Sequence, residues 1–325
     1  MGGWKLMLIG AVALFAGVYV ANSSHLAPVP TSSVQILAHR GLAQRFATDD
    51  LDGDTCTANI MLPPTTPYIE NTIPSMEASF AAGADIIQID VQPTSDGQFA
   101  VFHDKGLDCR TDGKGPTREH TLAELKALDI GYGYTADAGK TYPFRGKGVG
   151  LLSSLDEVLA HFPDKALFIS IRSDDAAAGK LMAEHLAGLP AEQRQRLMVL
   201  AHDEPAKALQ QALPDLRVIT KSGLRACLQG YVAIGWTGYV PEECRSAAVF
   251  VPLDLAPWLW GFPNRFIDRM TAAGSPVYLI GAYHGGDFAM GVDEDEDFAR
   301  IPKHFAGGII TNELETAVKT LRSGD

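Results

Sequence analysis

The sequence carries no basic excess: 27 Lys and Arg stand against 39 Asp and Glu, for a net charge of −12. Duplex binding needs a basic face to neutralise phosphates, so nucleic acid is excluded as the main partner. A single phosphate group is not excluded, because one local arginine or a metal can hold it. There is no internal repeat, so solenoid and propeller architectures are excluded, and no low-complexity tract lies beyond the leader. Cysteine is scarce, at four residues in 325.

One apolar run stands apart. Lys5 precedes the charge-free stretch Leu6–Ala21, which polar Asn22, Ser23 and Ser24 follow. Its sixteen residues fall between a secretory h-region of roughly 7–15 residues and a membrane span of roughly 20. No strong small-residue cleavage pattern follows, so cleaved signal peptide and retained membrane anchor both stay open. Either reading puts the remaining chain outside the cytoplasm, periplasmic or anchored to the inner membrane and facing the periplasm. Residues 1–33 are thus leader plus tether, and residues 34–325 one domain. An even cysteine count in an exported chain favours disulfides. Of the three possible pairing schemes, loop positions favour Cys56 with Cys109 and Cys227 with Cys244.

Short apolar, β-branched runs recur at Val34–Ala38, Ile86–Val91, Ala166–Ile171, Leu197–Ala201, Leu216–Thr220, Ala247–Val251, Val277–Ile280 and Gly308–Thr311. Helical periodicity fills many of the gaps, as at Ile73–Ala82, Leu155–His161 and Asn264–Ala273. Near-continuous apolar strands alternating with helices specify a buried parallel sheet. Eight such units predict an α/β fold, a (β/α)₈ TIM barrel, with a doubly wound open sheet as the alternative. Long loops after strands 1 and 2, from Gly41 to Tyr68 and from Lys105 to Gly150, would stand on the active-site face.

The first run ends in His39-Arg40-Gly41, which sets an acid/base group beside a guanidinium suited to phosphate oxygens. Glu70-Asn71-Thr72 precedes the first helix and reads also as its cap. Gln88, Asp90 and Gln92 share one side of the second strand by the period-two rule. Asp90 in so apolar a run needs a cation. A turn at Asp96-Gly97 leads to Phe99–Phe102 and then His103-Asp104.

In this order and spacing these motifs resemble the glycerophosphodiester phosphodiesterase family. Arg110-Thr111-Asp112-Gly113-x-Gly115, the Glu124-Leu125 helix and Gly308–Thr311 add to the resemblance, which spans about residues 34 to 316. The cysteine-bearing loop after His39 is similar to a bacterial exported branch of that family. The resemblance implies a barrel with His39 and His103 as catalytic histidines, Arg40 and Arg172 on the substrate phosphate, and a divalent cation, Ca²⁺ or Mg²⁺, on carboxylates. The implied reaction is hydrolysis of glycerophosphodiesters or lysophospholipid head groups to an alcohol and glycerol 3-phosphate. Two imidazoles suit it, one activating the nucleophile and one protonating the leaving alkoxide.

The chain departs from the family at the metal. Gln88 and Ser170 stand where the family has glutamates, and Arg172 stands where it has lysine. Asp90 is the one anionic ligand left, with Glu70 as a further candidate and Gln88 and Ser170 able to offer only neutral oxygens. Two other readings follow: a catalytically weak or inactive relative binding phosphodiester or lipid head groups in the cell envelope, and a lyase forming cyclic phosphates. Among lesser features, Asp293–Asp297 reads as a solvated charge run. Trp236, Trp258, Trp260 and Phe262 read as core packing and loop anchors, with the lining of a lipid or alkyl groove as the alternative. His284, after the seventh strand, is within reach of the site.

Overall fold

The computed structural model describes residues 3–29, 33–47, 51, 55–283 and 291–322. Nine strands form one sheet: β1 Gln35–His39, β2 Ile86–Pro93, β3 Phe99–Val101, β4 Ala166–Ile171, β5 Leu197–Leu200, β6 Arg217–Ile219, β7 Val249–Pro252, β8 Val277–Ile280 and β9 Gly308–Thr311. Eight run parallel in the order β6-β5-β4-β2-β1-β9-β8-β7, while β3 folds back antiparallel on β2. The sheet curls as expected for the (β/α)₈ architecture. Its ladder is interrupted between β6 and β7, which pair with each other nowhere among the described residues.

The period-two rule sorts each strand's side chains between two cores. Leu37, Ile86, Phe168, Met198, Ile219, Phe250 and Tyr278 fill the inside, with Phe250 stacked on Phe168 and Tyr278 at 5.1 and 5.2 Å. Ile36, Ile87, Leu167 and Val199 face outward into the helices. Continuing the inward set along each strand gives His39, then Gln88 and Asp90, then Ser170 and Arg172. The polar site is therefore the upper layer of the same inner wall.

The helices largely keep their expected places, at Ile73–Ala82, Leu155–His161 and Asn264–Ala272 among others. Ile73–Ala82 starts at Thr72, whose hydroxyl accepts from the Ser75 amide, and stops at left-handed Gly83. The helix Lys221–Ile234 has no counterpart among the expected helical stretches. Gly223 and Gly230 weaken its helical signal, and the Cys227–Cys244 bridge helps to tie it down.

The two long loops form a cap with a core of its own, built on Ala58, Met61, Ile69, Leu107, Leu125, Ile130, Tyr134 and Phe144. Both expected disulfides are present. Cys56–Cys109 joins the two cap loops with Cα atoms 5.7 Å apart, and Cys227–Cys244 closes at 4.8 Å.

The amino-terminal helix runs Gly3–Asn22. Its last turn is held to the barrel wall, where Arg269 donates to the Ala21 carbonyl and the Asn22 side chain. No helix among the described residues is long and apolar enough to cross a membrane.

Two expectations change, and a third is untested. Trp236 and Trp258 are exposed, Trp258 at 75%, whereas Trp260 anchors its loop by donating to the Val232 carbonyl at 2.9 Å and Phe262 leans on the core. The Asp293–Asp297 run is not a solvated loop, since Asp295–Arg300 is a short helix and Asp293 turns inward. His284 lies outside the described residues.

Candidate active site

The mouth lies at the carboxyl ends of the parallel strands, where barrel enzymes carry their chemistry. β1 ends on His39, which is level with Gln88 of β2, and Asp90 is level with Ser170 of β4. The backbone then turns sharply. Arg40 and Asn71 both hold positive φ, 62° and 57°, and the Asn71 amide donates to the Arg40 carbonyl at 3.0 Å. Strained residues of this kind persist where their surroundings fix them. Gly41 follows at φ +83°, and a Cβ there would meet Ser75 Oγ at 2.4 Å.

An ionic chain crosses the site. Arg40 Nη1 donates to Glu70 Oε1 at 3.0 Å, and its Nε lies 3.0 Å from Asp90 Oδ2 as an ion pair without aligned hydrogen-bond geometry. Arg110 Nη1 donates to Glu70 Oε2 at 2.9 Å and its Nε to Asp104 Oδ2 at 2.9 Å. Arg110 also reaches Tyr134 and Thr57 in the cap. Burial pushes Glu70 and Asp90 upward, but the guanidiniums outweigh it, Arg110 then Arg40 for Glu70 and Arg40 foremost for Asp90. Both stay ionised, well below the usual carboxylate range for Asp90. Burial also raises Asp104, and Arg110 with the His103 hydrogen bond holds it well below that range.

The two histidines hang on different partners. His39 Nδ1 lies 2.8 Å from Asn312 Oδ1. The Asn312 amide is oriented by Asp293, which accepts from Nδ2 at 2.7 Å and from the Asn312 backbone N–H at 2.7 Å. Since Asn312 Oδ1 can only accept, His39 Nδ1 carries the proton and Nε2 keeps the lone pair. Burial, then Arg40, lowers His39 from 6.5 to about 4. His103 Nδ1 meets Asp104 Oδ1 at 2.7 Å. Burial, then Arg40, lowers His103 as well, against the opposing pull of Asp90 and Asp104.

At the mouth, Arg172 borders a cavity of about 610 Å³ shared with Gln92, Lys105, Arg118 and His202. It also borders a smaller one of about 250 Å³ toward Lys221 and Arg225.

The model of the glycerophosphoryl diester phosphodiesterase family matches residues 39–192, opening on His39 and running past Arg172. Those residues, 154 of the chain's 325, are similar to that family. A Bacillus subtilis glycerophosphodiester phosphodiesterase is 36% identical over 147 residues, 44% of this chain and 47% of that protein, so the match spans about half of the relative's length. One from Caldanaerobacter subterraneus is 25% identical over 78% of this chain and 93% of its own. The fold is shared with a glycerophosphodiester phosphodiesterase from Agrobacterium tumefaciens, with TM-score 0.57 at 20% identity over 87% of this chain and 97% of that one.

Phosphodiesterases of this family generally use a divalent metal. The donor set here does not fit one. The positions come together as a group, yet no cluster of three His, Cys, Asp or Glu suited to a metal exists among the described residues. Asp90 Oδ1 accepts from Gln88 Nε2 at 3.0 Å, and Asn71 Nδ2 reaches Oδ2 at 3.4 Å beside Arg40. Glu70, a candidate ligand from the sequence, is held by the two arginines instead. Hard cations prefer charged oxygens, and these are taken.

Arg110, Asp104, Asn312 and Asp293 had no role assigned from sequence. Asn312 directly follows β9, so the strand-end rule alone pointed to it. Arg110 gave its position in a long loop after a strand and its place in the Arg110-Thr111-Asp112-Gly113-x-Gly115 motif, neither of which assigns it a partner.

Proposed function

We propose that the protein hydrolyses glycerophosphodiesters, releasing glycerol 3-phosphate and an alcohol, with His39 as base and His103 as acid. The observation that carries this reading is the unlike partnering of the two imidazoles on either side of Arg40. His39 Nε2 holds a lone pair and takes the proton of the attacking hydroxyl. The glycerol hydroxyl so activated forms the new P–O bond as the P–O bond to the alcohol breaks and the leaving alkoxide takes a proton from His103. Water then opens the cyclic phosphate with the proton roles reversed, giving glycerol 3-phosphate.

Asp104 favours the imidazolium that His103 needs for this step, as carboxylates do for paired histidines. A bound phosphodiester anion offsets Arg40, one cause of the low basicity of His103, and so helps to load the acid. Arg40 Nη2, which makes neither of the ion pairs above, and Arg172 face charge on the phosphoryl oxygens. The cavity beside Arg172 takes the alcohol portion. No step is routed through a metal.

Release of glycerol 3-phosphate from glycerophosphocholine tests the reading; absence of release from folded, disulfide-intact protein sinks it. Neutral Gln88 and Ser170 favour a second reading, a binding protein for the same head groups. Tight binding of sn-glycerol 3-phosphate without turnover identifies that case. We further propose export, because two disulfides suit an oxidising compartment. Recovery of the protein with reduced thiols from the cytoplasmic fraction of its own cells would overturn this.

A further inference from the structure

The geometry points to a phosphodiester site that works without a divalent cation, its positive charge supplied by Arg40 and Arg172. This rests on the function proposed above and goes beyond it.

The donor atoms carry the first part of the argument. Six carboxylate oxygens surround the mouth, and each already has a nitrogen partner. Glu70 gives one oxygen to Arg40 and one to Arg110. Asp90 gives one to the Gln88 amide and one to Arg40. Asp104 gives one to His103 and one to Arg110. A cation entering beside Asp90 must displace the Arg40 guanidinium and then stand next to it, and like charges that close repel strongly. Ion–carboxylate binding does not compensate, because Ser170, level with Asp90, and Gln88, two residues before it on β2, are uncharged.

The balance of charge carries the second part. Three carboxylates, Glu70, Asp90 and Asp104, face three guanidiniums, Arg40, Arg110 and Arg172, the last acting on Asp90. The ring is neutral, and positive if either imidazole is protonated. The two carboxylates missing at 88 and 170, relative to the set the family resemblance implies, would together carry the charge of one divalent ion. Their loss and the loss of the ion leave the same net charge for the phosphate to meet.

Gln88 shows what the altered position does instead. Its Nε2 donates to Asp90, which fixes the amide's orientation, and its Oε1 is buried with no hydrogen-bond partner. A buried acceptor left open is costly. Beside Asp90, at the level of His39, it suits a hydroxyl of the glycerol moiety.

The test uses the full chain with both disulfides intact, stripped of metal and assayed on glycerophosphocholine in EDTA, then with added Mg²⁺ or Ca²⁺. Calorimetry with sn-glycerol 3-phosphate is run under the same conditions. Hydrolysis in EDTA within about twofold of the rate with metal supports the inference, since a required Lewis acid contributes far more. Hydrolysis only with added metal overturns it and leaves the proposed function standing. If neither condition gives hydrolysis, the function fails, while binding in EDTA still supports a metal-free anion site. Binding that requires metal, or no binding by protein of unchanged circular dichroism, overturns the inference.

Discussion

The two halves of the active site are built from different materials. The strand half, with His39, Gln88, Asp90, Ser170 and Asn312, is made mostly of neutral donors and acceptors at the ends of β1, β2, β4 and β9, with Asp90 its one carboxylate. The cap half, with His103, Asp104, Arg110 and Glu70, is an ionic chain held by long loops and the Cys56–Cys109 bridge. Arg40 joins them. A parallel strand is set by its ladder, so groups at its end need little charge to hold them in place. Loop residues have no ladder, and buried ion pairs with a disulfide fix their positions instead. Each half thus orients one imidazole, one through an amide and one through a carboxylate.

The largest effects come from removing the imidazoles. His39→Ala and His103→Ala should each lower turnover of glycerophosphocholine by about 10²–10⁴-fold, the usual size of a general acid or base contribution. Melting temperature should fall by only a few degrees, the size of one lost buried hydrogen bond of about 1–3 kcal/mol. If either variant keeps more than about a tenth of the activity, that histidine is not the acid or base.

Their supports should separate the two halves. Asp104→Asn leaves Arg110 buried beside a neutral amide, and breaking a buried pair costs about 3–5 kcal/mol. Asn312→Ala strips hydrogen bonds from His39 and Asp293 and should cost about 1–3 kcal/mol. Denaturant unfolding of the two variants reads the difference. Equal losses would mean that the cap half is not ionic in the sense argued here. Asn312→Asp should also move the acid limb of the pH–rate profile upward, because a carboxylate in place of the amide favours imidazolium at His39.

A pH titration of stability tests the neutral half directly. His39 falls from 6.5 in the unfolded chain to about 4 in the fold. Between those values the unfolded state binds the proton and the folded state does not, so stability rises with pH across this window. Acidifying from pH 6.5 to 4 should therefore remove about 3 kcal/mol through this residue, with His103 acting in the same direction. The His39→Ala variant should lose much of that slope; an unchanged slope would place the proton uptake elsewhere.

The strand half was legible in the sequence because period-two alternation and strand ends are local patterns. His39, Gln88, Asp90 and Ser170 share a face with Leu37, Ile86 and Phe168, and all eight parallel strands lie within two residues of their apolar runs at either end. The cap half was less legible. Arg110, 40 residues from Glu70, and Tyr134, 24 beyond Arg110, meet only through tertiary packing, which no local period encodes. Asp293 shows the same limit. Within an acidic run its composition reads as solvated, and only the contact with Asn312 turns it inward.

The smallest expected effect is the most exacting for the comparison, because it puts charge into the neutral half. Gln88→Glu with Ser170→Glu adds two carboxylates beside Asp90, one two residues before it on β2 and one level with it on β4, next to a pair already held by Arg40. Without metal the added charges repel one another and Asp90, so they take up protons or destabilise the fold, and the variant should melt below the parent in EDTA. Ca²⁺ or Mg²⁺ would relieve that repulsion and now meets three charged oxygens, the donors such ions prefer. The double variant should therefore bind metal at least about tenfold more tightly than the parent, a difference of about 1.4 kcal/mol. Its melting temperature should rise on adding metal, whereas the parent's should not. Calorimetric titration and thermal scans with and without EDTA read both, independently of turnover. A variant indifferent to metal would mean that positions 88, 90 and 170 do not converge closely enough to share an ion. A parent whose melting point already rises with metal would mean that the strand half is not neutral in practice, and the contrast between the halves would fall with it.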